Sequence, residues 1–202
     1  SQTSDSTLFV ADSDGERVVL LSRMYTATGG DSTWLRLQLY DAEDMAFVAE
    51  TMLVTHQDDD AQVRDRNDAD DCDDLFPLDV SVFESEGKVH VGAIYQDVVG
   101  AASGSGCAPT ARSYLKTATF SAGSGWTSPA AASLVASAVN SYEVEIERTP
   151  CRSEWLVVHR NNTSGAPTWR SRRYGVDGRA VTDSDIDTFE DVAYISTIEA
   201  QN

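Results

Sequence analysis

No stretch of this chain sustains a helical period, and that absence constrains the fold more than any other feature of the sequence. Short runs rich in Val, Ile, Leu, Thr, Tyr and Trp recur instead, separated by clusters of Gly, Asp, Asn, Ser and Pro. Such runs read as strands bounded by turns. Thr7–Ala11 and Glu16–Tyr25 flank Asp12-Ser13-Asp14-Gly15, an Asp-Gly corner of the kind that closes a tight hairpin. Those aspartates also admit a calcium reading, against which the hairpin is the stronger. Trp34–Tyr40 and Ala46–Thr55 follow, joined through Asp41-Ala42-Glu43-Asp44, so the chain opens with four consecutive antiparallel strands.

The pattern then repeats. Leu78–Glu84 turns at Ser85-Glu86-Gly87 into Lys88–Gln96, and the glycine-rich loop Gly100–Gly106 leads to Arg112–Phe120 and a stretch near Ala130–Val139. A third round runs through Tyr142–Arg148, Glu154–Arg160, Thr168–Tyr174 and, after Val176-Asp177-Gly178, a strand from Arg179 to Thr182. Val192–Ile198 reads as the opening strand of a fourth. Each round makes a tight turn into a strongly apolar strand, as in Val18-Val19-Leu20-Leu21 and Trp155-Leu156-Val157-Val158. An aromatic-bearing strand comes next, Thr33-Trp34 in the first and Thr168-Trp169 in the third. The chain is thus expected to be one all-β domain or domain fragment, 1–202, with repeat units 7–55, 77–139 and 141–182 and a first strand 192–198.

That rhythm resembles secreted bacterial β-propellers. Glu154–Thr182 is similar to the second to fourth strands of a blade. Phe120–Pro129 is similar to the turn of a sialidase-like Asp box, although Ala122 or Gly123 falls where the Asp of that box belongs. The resemblance implies antiparallel four-stranded blades forming a β-propeller or part of one. The alternative is a self-contained β-sandwich, for which the length is comfortable. A propeller closes with at least about four blades. Three units and a strand therefore require further sequence, a second copy or another subunit, and the chain is expected to work as part of an assembly.

Charge limits the partners. Thirty-three acidic residues against fifteen basic give a net −18, which repels phosphate backbones and makes nucleic acid an unsuitable ligand. No apolar run approaches the roughly 18 residues that cross a bilayer. The segment His56–Asp74 gathers nine aspartates, and Asn67-Asp68-Ala69-Asp70-Asp71 alternates as calcium loops do. Hard oxygen ligands so closely spaced suit Ca²⁺, and Asp68, Asp70 and Asp73 are the expected ligands. The competing reading is a solvated acidic loop, part-neutralised by Arg64 and Arg66.

Cys72, Cys107 and Cys151 form no CxxC and lie in polar, loop-like sequence, which fits an oxidising compartment: secreted, periplasmic or cell-surface. The blade reading places the loops carrying Cys72 and Cys107 on one face and Cys151 on the other. It therefore implies a Cys72–Cys107 disulfide closing a loop of about 35 residues.

Catalytic signatures are sparse. His56, His90 and His159 belong to no metal-binding helix motif, and no G-x-S-x-G, Walker or dinucleotide fingerprint occurs. A sialidase-like site would need converging arginines, for which Arg23, Arg112 and Arg160 are available, and a tyrosine from among Tyr25, Tyr95 and Tyr174. The first expectation is a non-catalytic extracellular binding or scaffold module, calcium-stabilised, whose partners are other subunits or further blades. The alternative is a carbohydrate-active hydrolase of the propeller type. In a sandwich, Trp34, Trp126 or Trp169 would serve as sugar platforms; the competing reading packs them in a core.

Overall fold

A computed structural model of the chain describes residues 8–25, 33–56, 74–103, 106–127, 132–136, 144–149, 152–161, 168–181 and 187–190. Every element among them is a strand, and all pairing is antiparallel. Three sheets form in chain order, and none closes into a barrel. Sheet A holds β1 (Phe9–Ser13), β2 (Arg17–Tyr25), β3 (Thr33–Asp41) and β4 (Phe47–His56), each beside its sequence neighbour. Sheet B holds β5 (Asp74–Ser85), β6 (Lys88–Ser103), β7 (Gly106–Ser121), β8 (Gly125–Trp126) and β9 (Ser133–Ala136). Sheet C holds β10 (Val144–Arg148), β11 (Glu154–Asn161), β12 (Thr168–Gly175) and β13 (Asp187–Glu190).

Local chemistry sets the hairpins. Between β1 and β2 the Asp14 carboxylate accepts from the backbone N–H of Glu16 and Arg17, at 3.0 and 2.8 Å. The expected hairpin corner is what forms. Between β5 and β6, Ser85 pairs with Lys88, leaving a two-residue loop in which Glu86 and Gly87 both take positive φ, 55° and 68°. That is the primed turn whose twist matches the flanking strands, and glycine enters its second position without strain.

Three segments differ from the sequence expectation. The glycine-rich stretch at Gly100 is strand, because β6 and β7 continue as a ladder from Val89↔Phe120 out to Ser103↔Gly106. Its Ala, Ser and Gly residues lack an apolar period, yet their backbone groups pair like any others. Of the expected strand Arg179–Thr182, the described residues 179–181 hold a bridge, Tyr174↔Ala180, while β13 pairs the other end of β12. Of the stretch near Ala130–Val139, the described residues include β9, and β8 pairs the other end of β7. In sheets B and C alike, then, the outer edge is filled in two pieces. Val192–Ile198 lies outside the described residues.

The sheets stack in series, so sheet B has a core on each face. Val19, Leu21, Leu35, Leu37 and Leu39 of sheet A pack with Val80, Val82, Val89, Val91 and Ala93 of sheet B. On the other face, Phe83, Ile94 and Leu115 pack with Val144, Ile146, Trp155, Val157 and Tyr174 of sheet C. Alternation along each strand delivers these two sets to opposite faces. The described strands thus pack as three sheets in series. β5 packs on β1 and β2, and β10 on β5 and β6.

The second stacking depends on one missing side chain. A Cβ at Gly92 would stand 2.6 Å from Ile146 Cδ1 and 3.0 Å from the Trp155 ring, so the Trp155 indole rests directly on β6 backbone. Phe83, on the same face of sheet B, packs against that indole, with ring centroids 4.7 Å apart.

Candidate functional site

Two acids on first strands are built into the contacts between the sheets. Asp12 of β1 accepts a 2.9 Å hydrogen bond at Oδ2 from the backbone N–H of Val82 in β5. One sheet further, Asp79 of β5 accepts at Oδ2 from the N–H of Ile146 in β10, at 2.8 Å, and at Oδ1 from Val80 N–H, at 2.9 Å. Each carboxylate thus reaches from its own first strand to an edge N–H of the next, which no ladder partner serves. An edge strand leaves such donors open, and a carboxylate makes a strong acceptor for them.

Alternation along β5 places Asp79, whose cross-strand partner is Ile94, with Phe83 on the face of sheet B that meets sheet C. A register slip between Pro77 and Asp79 lets the residues before it, such as Leu75, turn to the sheet A side instead. Burial pushes its pKa up to about 6; the Ile146 and Val80 donors work against that, and the charges of Glu145 and Asp12 add to it. Glu147 of β10 is raised as well, by burial first and then by the Asp12 charge, while the Arg148 N–H opposes it. Glu145 is raised by burial. The carboxylates of three first strands accordingly share one field.

This arrangement favours structure over chemistry. A carboxyl poised near neutral pH suits proton transfer, but both Asp79 oxygens are engaged by backbone donors. Among the described residues no group of three or more His, Cys, Asp and Glu side chains is placed to hold a metal ion. None of their helices is long and apolar enough to cross a membrane.

Asp68, Asp70, Asp73 and Cys72 lie outside the described residues, as do Cys151 and Asp31. Cys107, expected in a loop, sits in β7 opposite Ala102. The candidate catalytic groups are dispersed. Arg23 lies over the Phe76 ring, 5.2 Å from its centroid, bracing sheet A on sheet B. Tyr95 is buried and stacks on Tyr114 at 5.6 Å, and burial, followed by Asp97 and Tyr114, raises its pKa. Tyr174 is buried in the core between sheets B and C. Arg112 is exposed. Trp169 is buried, and Trp126 packs on Phe120 at 5.4 Å, so the core reading holds for both. His90 shares a 3.2 Å hydrogen bond with Thr119, and His159 is buried.

Sequence reading missed Asp79 and Gly92. The signal was present in both cases: an acid between apolar neighbours in a strand, where Asp is disfavoured, and a lone glycine inside an apolar strand, which marks close backbone approach. No family model matches this chain, and no curated protein matches it.

Proposed function

We propose that the chain is a non-catalytic extracellular binding or scaffold module built of propeller blades, secreted or held at the cell surface. The observation that carries this reading is the use made of its inner acids. In a catalytic ring those positions would face a substrate; here Asp12 and Asp79 are tied to backbone N–H groups of the next sheet. Three consecutive antiparallel meanders, stacked through their first strands, support the blade assignment. Hydrolysis of a panel of chromogenic glycosides, sialosides included, is expected to be absent, and glycan or protein arrays are expected to return ligands. Turnover that survives repurification and disappears with Arg23→Ala or Arg160→Ala would sink the binding reading in favour of the hydrolase.

Calcium is the second part of the proposal. Asp68, Asp70 and Asp73 supply hard oxygen donors in a chain of net charge −18. A cation that binds the folded form preferentially raises the melting temperature. Scanning calorimetry at constant ionic strength is expected to show a rise in millimolar calcium that chelator reverses and that Asp68→Asn/Asp70→Asn removes. Identical melts with calcium and with chelator would leave the segment a solvated acidic surface.

A further inference from the structure

Each sheet has a rear face turned to the preceding sheet and a forward face turned to the following one. On the two rear faces that are covered, the first strand contributes an alternating apolar pair: Val80 and Val82 in β5, Val144 and Ile146 in β10. The second residue of each pair also offers the edge N–H that takes the preceding sheet's carboxylate. Sheet A repeats this design at its own rear. Phe9 and Ala11 alternate on β1, opposite Ser22 and Leu20 of β2. Arg23 N donates to Leu8 O, and Asp14 N to Arg17 O. Alternation between those two bonds turns the Phe9 and Ala11 N–H groups to the open edge. Yet much of this face is exposed: Phe9 is 67% exposed, Phe47 and Met52 each 56%, with Leu20 and Tyr40 half-buried beside them, while Ser22 and Met24 at its other end are buried. An apolar sheet face and an open edge strand together mark a contact surface.

The far end of the stack carries the complement. Glu145 and Glu147 alternate with Val144 and Ile146 and so occupy the forward side of β10, as Asp12 does on β1 and Asp79 on β5. Half-buried Leu156 of β11 pairs with Glu147 and shares that side. One end of the chain therefore offers edge N–H donors and apolar side chains, and the other offers first-strand carboxylates. The three described sheets do not close on themselves, and two copies would bring six, within the about four to eight blades that close.

We infer that the rear face of sheet A is an interface whose occupant is sheet C of a second copy, joined head to tail, with the Glu145 and Glu147 carboxylates of one chain facing the Ala11 N–H of the other. This rests on the blade reading proposed above. Each chain carries −18, so salt screens repulsion between copies and association tightens as salt rises to about 0.15 M and beyond.

Sedimentation velocity over a concentration series tests it, with Phe9→Asp as rear-face variant and Leu156→Asp as forward-face variant. Wild type is expected at twice the chain mass. Each variant is expected to raise the dissociation constant at least roughly tenfold, as loss of an interface anchor does. Phe9 is already exposed, so an unchanged melting curve for Phe9→Asp separates lost association from lost folding. Mixing the two variants leaves one intact rear face opposite one intact forward face, and is expected to restore association in part. A wild type that is monomeric throughout, a dimer indifferent to Phe9→Asp, or variants that mixing does not rescue would each overturn the inference. A monomer that still binds its array ligands would do so while leaving the binding-module reading in place.

Discussion

Replacing Trp155 with alanine is expected to destabilise the protein by about 3–5 kcal/mol, the usual loss for a large buried aromatic. The indole is fully buried, packs on Gly92 and Phe83, and is the largest side chain in the core joining sheets B and C. No neighbour stands ready to refill its volume, because its floor is β6 backbone. The reciprocal change, Gly92→Val, drives a side chain into Ile146 Cδ1 and the Trp155 ring. Overpacking of that kind costs about 1–3 kcal/mol or more. The two positions touch, so their effects must not add. Gly92→Val/Trp155→Ala is expected to be more stable than the sum of the singles, since the valine enters the hole left by the indole. Urea unfolding of the four proteins measures this. Additive losses, or a Trp155→Ala cost below about 1 kcal/mol, would contradict the packing described.

Stability is also expected to depend on pH through Asp79. Its folded pKa, about 6, lies above the ordinary 3.8, so the folded state holds this proton more tightly than the unfolded state does. The stabilisation is therefore fully present below about 3.8 and is lost as pH rises through 6. A shift of that size is worth on the order of 3 kcal/mol between the two limits. Glu145 and Asp12, the acids whose charges act on Asp79, repel its ionised form. Asp79→Asn keeps an acceptor for the Ile146 N–H and removes the titration, so its stability should change much less between pH 4.5 and 7 than that of wild type. Asp79→Ala removes the acceptor too and leaves a buried N–H without a partner, for about 1–3 kcal/mol at any pH. Parallel pH profiles for wild type and Asp79→Asn would show that the general relief of acidic repulsion, not this carboxyl, sets the dependence.

The hairpins were legible in the sequence because their determinants are local. Asp14-Gly15 and Glu86-Gly87 specify turns through their own dihedrals and side-chain acceptors, and both turns form. Short apolar runs named most strands for the same reason: alternation within a strand reflects which face it buries. Where the signal failed, pairing rather than burial decided. The Gly100 segment extends a ladder with no apolar pattern of its own, and β13, carrying a single apolar residue, pairs the end of β12 opposite the Ala180 bridge.

By itself, then, the sequence determined that this chain is all-β, antiparallel, built in successive meanders and strongly acidic. Those properties follow from neighbours along the chain and from composition. Only the tertiary structure decided which acids matter to the stack. Asp12 and Asp79 lie 70 and 67 residues from the N–H groups they hold, each in another sheet. The same holds for Gly92, whose missing side chain acquires its meaning from Trp155 arriving out of another sheet. Contacts of that kind depend on how whole sheets approach one another, and no spacing within a single strand encodes that approach.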